Sequence, residues 1–400
     1  VREMKEVDVV VVGGGSTGCS ILYNLAKRGV TSTLLVDKGP QPAWGQTGRS
    51  TALIRTHYTV EAVARMALKS YNFFRNFERE LGGRTAGYVE TGLIIGTDEA
   101  SIDAVKDSIE MFHKLGIISD IIEAEEVKRI EPQLNVSVFS AFVYEPHMGY
   151  AEPSTTTSAF LSAAREMGAD SAFNTSVTSI KRQSDGYLLN TSRGEIHAGK
   201  VVLATGVWSK SIFRSLEVEV PIKVVRHPVA IYRRPYEYSG KRPVVLDIPR
   251  SAYYKPEGAH SLYVGSLELE LDLYGSEVDP DNYQEAITFD EVSVFSEKTA
   301  TALPVMGEKG LYQRGYAGAY DNTPDQQPII DELSDYGYRD IFCLVGLSGH
   351  GFKLCPEFGR IMASMVVEGT FRDYDVSIFG LGRFEKGRLL KGRYNVSTIG

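Results

Sequence analysis

The chain has 400 residues and a formal charge of −8, with 43% hydrophobic and 24% charged residues. Such fractions belong to globular proteins and exclude disordered, collagen-like and disulfide-scaffold classes. Four hundred residues exceed what one core commonly supports, so two domains are expected, and the acidic balance disfavours nucleic acid as a partner.

No stretch approaches the roughly 20 uncharged apolar residues of a membrane span, and the opening lacks the basic region and cleavage site of a signal peptide. Cys19, Cys343 and Cys355 form no spaced pair and no metal pattern. A cytoplasmic protein without a metal site is the expectation.

The first 38 residues read as one β-α-β unit. Val7 to Val12 is a β-branched run of the kind that forms a buried parallel strand. Gly13 to Gly18 make the turn, Cys19 to Arg28 an apolar-striped helix ended by Gly29, and Thr31 to Val36 a second strand. A Gly/Thr/Ser/Arg-rich loop, Gly45 to Ser50, precedes a long amphipathic helix carrying Val63, Met66, Phe74, Phe77 and Leu81, which Gly82 and Gly83 end.

From Tyr88 the texture changes to short strands such as Gly92 to Gly96, with helices near Ala100 to Leu115 and Ala124 to Ile130. Thr155 to Met167 then reads as a helix, and Val177 to Lys181 and Lys200 to Thr205 as strands. Residues 216–317 look mostly strand-like, with alternation in Val224 to Tyr232, a Leu262 to Leu267 run, and turns at Pro256–Gly258 and Asp279–Asn282. The last unit is strand Ile341 to Val345, glycine loop Gly346 to Gly351, and helix Pro356 to Val367.

This order predicts an α/β fold: a Rossmann-like nucleotide-binding domain (1–87, 151–215 and 318–378) interleaved with a mixed-sheet α+β domain (88–150 and 216–317). Residues 379–400 form a basic tail. Arg383, Lys386, Arg388, Lys391 and Arg393 face one acid there, Glu385, which suits either a solvated tail or docking on an acidic partner.

Gly13-Gly-Gly15-Ser16-Thr17-Gly18 satisfies G-x-G-x-x-G between a strand and a helix. Gly13 allows the tight turn, Gly15 lets the backbone approach a pyrophosphate, and Gly18 lets helix pack on strand. The helix N-terminus then faces the phosphates with unpaired N–H groups. Asp37 closes the second strand, where a carboxylate binds ribose hydroxyls. The fingerprint does not separate NAD from FAD.

Ser348-Gly349-His350-Gly351-Phe352-Lys353 offers a second helix start that attracts negative charge, or else a turn with one exposed lysine. Arg55 suits either a substrate carboxylate, with Lys353 as second cation, or a surface ion pair. The other histidines are scattered without H-E-x-x-H, and no G-x-S-x-G elbow occurs, so zinc and serine hydrolases are disfavoured.

VVVVGGGSTG with Asp37, GQTGRSTALIRTHY (Gly45 to Tyr58), KVVLATGVWS, YDNTPDQQPIID (Tyr320 to Asp331) and LVGLSGHGFK (Leu344 to Lys353) occur in this order at matching separations. Together they resemble the FAD-dependent D-amino acid oxidase superfamily, and within it the sarcosine oxidase branch, over nearly the whole chain. The resemblance implies FAD as cofactor, with Gly13, Gly15, Ser16, Thr17, Gly18, Asp37 and Lys38 at its ADP part. It places Thr47, Gly48, Arg49 and Ser50 beside the flavin, Val177 at the adenine side and Gly206 near the pyrophosphate. Gly349, Gly351, Phe352 and Lys353 fall at the pyrimidine end. Arg55 and Lys353 match the substrate-carboxylate pair and Tyr320 a pocket tyrosine, and His350 is grouped with these three as catalytic.

The implied chemistry is hydride transfer from an amine carbon of a small secondary or N-methylated amino acid to flavin N5. The alternatives are a same-fold dehydrogenase of a 2-hydroxy acid or glycerol 3-phosphate, or a flavin-bearing subunit of a complex. Three departures from the branch stand out. Gly318 replaces the cysteine that carries flavin in monomeric sarcosine oxidases, so FAD should be non-covalent. Tyr263 replaces the lysine that assists oxygen, leaving O₂ or a redox partner as acceptor. Ser266 or Leu267 replaces a histidine near the amine. A homo-oligomer or complex subunit is allowed.

Overall fold

The computed structural model describes residues 5–267 and 276–393. Two eight-stranded sheets organise it, with a three-stranded sheet of short strands between them in sequence. In the first sheet Ile341–Val345, Gly194–Leu203, Lys5–Val12, Thr33–Val36 and Asp170–Ala172 run parallel in that spatial order. The valine run explains the placement of Lys5–Val12. Val9 and Val11 enter one apolar cluster, with the Ser16–Lys27 and Gly351–Glu368 helices, while Val10 and Val12 enter a second cluster on the opposite face. A strand covered on both faces has no solvent side to alternate with.

The second sheet is mixed. Leu311–Asn322, Lys223–Arg233, Ser261–Ser266, Ala252–Glu257, Val244–Asp247, Leu93–Thr97, Ala141–Glu145 and Asp120–Ile122 follow one another across it. Leu53–Ile54 pairs with Gly149–Tyr150 in the small sheet. That pairing delivers the chain from the first glycine unit to residue 55 beside the second sheet.

Most elements fall within a few residues of expectation, and four differ for identifiable reasons. The 216–317 stretch is not only strands: it contains helices Phe289–Ala302 and Pro304–Lys309. Thr288 and Glu291 form a complete capping box at the first of these, a signal present in the sequence. The long helix after residue 60 stops at Arg75, and Phe77–Glu80 is a separate turn of helix. Pro256 still belongs to the Ala252–Glu257 strand, and the turn follows it.

The last helix starts at Gly351 rather than Pro356, which lies inside it. A proline early in a helix sacrifices one backbone hydrogen bond. Extending the helix to Gly351 brings its N-terminus to the end of the glycine loop.

Candidate functional site

The glycine turn after Lys5–Val12 is closely packed. Gly13 has φ +119°, and a Cβ there would lie 2.1 Å from the Ala204 carbonyl oxygen; one on Gly18 would lie 1.8 Å from the Gly13 oxygen. Ser16 N–H donates to Thr47 Oγ1 at 3.1 Å, which ties the helix start to the Gly45–Ser50 loop. That loop is a 3₁₀ turn, Gln46–Arg49.

Between these elements opens a cleft of about 1020 Å³. Gly13, Gly15, Ser16, Thr17, Asp37 and Lys38 line it together with Thr47, Arg49, Ser50 and Gly206, and with Tyr320, Gly349, Gly351 and Phe352. Val177 lines an adjoining pocket of about 590 Å³ that shares Gly13, Asp37, Lys38 and Trp208 with the cleft. Gly18, Gly48 and Lys353 do not line the cleft. Gly18 lets the helix approach the turn, and a Cβ on Gly48 would meet the Ala43 oxygen at 2.5 Å, so both shape the walls.

Asp37 accepts the Gly14 and Gly39 N–H groups at 2.6 Å each, while burial raises its pKa. Lys38 pairs with Asp281, and its ammonium lies 4.6 Å from the Trp208 ring centre. A cleft lined from a helix N-terminus at Ser16 and another at Gly351 fits a dinucleotide bearing a second, electron-accepting ring system.

A polar group adjoins the Tyr320 and Gly349 lining of the cleft. Arg55 is 4% exposed. Its guanidinium donates to the His57 carbonyl and sits 4.1 Å from the Tyr58 ring centre. The Tyr58 hydroxyl is 3.0 Å from His350 Nδ1, and His350 Nε2 is 3.1 Å from the Gln326 carbonyl. A carbonyl only accepts, so Nε2 carries the proton and Nδ1 accepts from Tyr58. His350, expected with the catalytic residues, therefore has both nitrogens engaged, one through Tyr58 and one through Gln326.

Lys353 Nζ donates to the Gly349 carbonyl at 3.0 Å. Burial first, and the Arg55 charge second, push its pKa well below the ordinary lysine value; burial also lowers that of Arg55. Two desolvated cations in one place favour an anion between them. Tyr320 is half-buried with its pKa raised by desolvation, and a Cβ on Gly349 would lie 2.8 Å from its ring, so the loop glycine permits the contact.

Sequence reasoning did not find His227 or Glu145. His227 is stacked on Tyr320 and makes a backbone hydrogen bond with Ser266, and burial pushes its pKa down to about 4. Its Nε2 has no hydrogen-bond partner among the described residues. Nothing in an alternating strand distinguishes such a histidine from a core one. Glu145 is fully buried, accepts the Thr56 hydroxyl at 3.1 Å and lies 3.5 Å from His57 Nδ1. Its charge also bears on Arg55.

Tyr263, expected to replace the lysine of the branch, is registered with Lys255 on the neighbouring strand. Lys255 is buried, its ammonium 4.9 Å from the Tyr263 ring centre, and it donates to the Thr51 carbonyl at 2.8 Å. A Cβ on Gly318 would lie 3.1 Å from Gln46 Oε1, beside Arg49. Among the described residues no helix is long and apolar enough to cross a membrane.

The profile of the family described as DAO, FAD dependent oxidoreductase, matches residues 8–365. Monomeric sarcosine oxidase of Bacillus sp. (strain B-0618) is 25% identical, covering 94% of this chain and 96% of that protein. N-methyl-L-tryptophan oxidase of Shigella dysenteriae is 27% identical, covering 94% and 99%. Among solved structures, L-proline dehydrogenase from P. horikoshii aligns with a TM-score of 0.87 at 27% identity, covering 97% of this chain and 100% of that one.

Proposed function

Because this chain belongs to the DAO family of FAD-dependent oxidoreductases, we propose that it oxidises the C–N bond of a small secondary or N-methylated amino acid. The observation that carries the proposal is the pairing of two cations, the buried Arg55 beside Tyr320 and the half-buried Lys353 bonded to the Gly349 carbonyl, next to the Tyr320 and Gly349 lining of the cleft. The substrates in the names of its relatives, sarcosine, N-methyl-L-tryptophan and L-proline, each carry a carboxylate next to a secondary amine.

FAD supplies the two-electron acceptor of this chemistry. Its ADP part is assigned to the Gly13–Gly18 turn and Asp37, and its ring system to the Thr47–Ser50 and Gly349–Phe352 segments. Non-covalent attachment is supported by Gly318 and by the three cysteines, all buried and none lining the cleft.

Arg55 and Lys353 hold the substrate carboxylate, which fixes the amine carbon relative to the cleft. Lys353 gains a counter-charge where, among the described residues, its half-buried ammonium has no carboxylate partner. His227 offers a neutral acceptor to the substrate N–H, and Tyr320 provides the wall on which that imidazole is stacked. A positioned neutral amine needs no strong base, which suits a site built of Arg, Lys, Tyr and a weakly basic His.

Product analysis tests the assignment. Turnover of sarcosine should release formaldehyde and glycine in equal amounts, as hydrolysis of the imine requires. Turnover of a 2-hydroxy acid to its keto acid, with no product from any amine, would replace the amine substrate by an alcohol.

A further inference from the structure

The segment after Phe379 folds back onto its own chain. Arg383 is 5% exposed, and its guanidinium bridges both oxygens of the Asp325 carboxylate, at 2.8 and 2.9 Å. The same side chain donates to the Phe379 and Gln327 carbonyls at 2.6 and 2.9 Å. Asp325 also accepts the Thr323 hydroxyl at 3.2 Å and the Leu390 N–H at 3.1 Å. Farther along, the Arg393 N–H donates to Thr59 Oγ1 at 2.8 Å.

These attachments fall on the two ends of one hydrogen-bonded chain. Gln326, between Asp325 and Gln327, has φ +58°, a left-handed conformation that a non-glycine residue keeps only when its surroundings impose it. Its carbonyl is the one that fixes His350 Nε2. At the other end Thr59 follows Tyr58, whose hydroxyl meets His350 Nδ1 and whose ring lies against Arg55.

The geometry points to residues 380–393 as a brace for the substrate-binding arginine, with Arg383 as its positioning residue. Arg383 fixes Asp325 and the strained Gln326 carbonyl, that carbonyl fixes the His350 ring and its tautomer, and His350 fixes Tyr58 against Arg55. The brace presupposes the Arg55–Lys353 site proposed above and adds to it a residue in contact with neither substrate nor cofactor. A buried Arg–carboxylate pair loses most when one partner is deleted outright, so the informative change keeps the charge and removes the two-pronged geometry.

The test uses the FAD-loaded full chain with Arg383→Lys and, separately, Thr59→Val, which removes the acceptor of the Arg393 N–H. Flavin absorbance reports the Kd of a non-reactive carboxylate, acetate or propionate, beside KM and kcat for the amine substrate. Arg383→Lys should raise both KM and that Kd about 10-fold, with kcat within about 3-fold of wild type, because a loosened clamp loses carboxylate binding in the ground and transition states alike. Thr59→Val should move the same two values the same way by about 2- to 5-fold.

A lower melting temperature with KM and Kd unchanged in both variants would make the tail a structural clip and overturn the brace. Should Arg383→Lys fail to load FAD, Thr59→Val decides alone, and wild-type KM and Kd there overturn it. A wild-type flavin insensitive to every carboxylate, with no amine oxidised, is a different failure: it removes the clamp, and the brace with it.

Discussion

His227 lies stacked on Tyr320, their ring centres 4.2 Å apart and their planes 14° from parallel. The two residues come from paired strands, where His227 is registered with Gly318 and Tyr320 with Val225. Diagonal neighbours on one sheet face are within reach of aromatic side chains. The arrangement aims a buried imidazole, whose Nε2 is without a partner among the described residues, at the same locality as a tyrosine of the cofactor cleft. An unpaired buried acceptor costs about 1–3 kcal/mol, which a donor on the substrate can recover.

His227→Leu should therefore lower kcat/KM for the amine substrate by about 10- to 100-fold while FAD content stays at the wild-type level. His227→Gln, which keeps an acceptor, should lose less. Burial depresses the imidazole to about 4, so between pH 5 and 8 the wild-type profile should show no limb from it. Equal kinetics for wild type and His227→Leu would make this histidine a packing residue.

Arg55→Lys tests the clamp by geometry rather than by charge. A lysine cannot reproduce two-pronged carboxylate recognition or stacking on Tyr58. KM should rise about 100-fold, and Lys353→Met should act in the same direction. Flavin binding, measured by absorbance of the purified variants, should be unaffected by either change.

Asp321 gives a stability signature. It accepts the Leu347 N–H at 3.0 Å, and burial raises its pKa to about 6. A carboxyl raised above its unfolded value binds more protons folded than unfolded between about pH 4 and 6, so its ionisation lowers stability as pH rises through that window. Asp321→Asn should flatten this part of the curve, by at most about 2–3 kcal/mol at its upper end. Denaturant titrations of both proteins at pH 4.5 and 7 measure the difference, and parallel curves would contradict it.

Acid precipitation tests the attachment of FAD. With Gly318 in the cleft region and Cys19, Cys343 and Cys355 all buried, the yellow colour should leave with the supernatant. Flavin retained in the washed pellet would require a covalent link through another residue.

The glycine fingerprint, Asp37 and the SGHGFK loop were legible because their work is done by backbone, and backbone needs specific residue types at fixed spacing. Val7–Val12 was legible because a strand buried on both faces leaves an unbroken apolar run. His227 and Glu145 carried no such mark: each depends on a neighbour far away in sequence, Tyr320 and Thr56, and register alone brings them together. Arg383 was misjudged for a related reason. Five basic residues near a chain end look solvated, and only the fold shows that one of them is locked on Asp325. The Phe289–Ala302 helix was missed although its capping box, Thr288 to Glu291, stands in the sequence, because the surrounding alternation drew the assignment towards strand.

The most direct measurement is anaerobic mixing of the FAD-loaded protein with single substrates while flavin absorbance is followed. Sarcosine, proline or another small secondary amino acid should bleach the oxidised flavin band in wild type. The same compounds should act far more slowly on Arg55→Lys, and 2-hydroxyglutarate and glycerol 3-phosphate should leave the band intact. Bleaching by the hydroxy compounds alone, or by amines at equal rates in wild type and Arg55→Lys, would contradict a carboxylate-clamped amine oxidation.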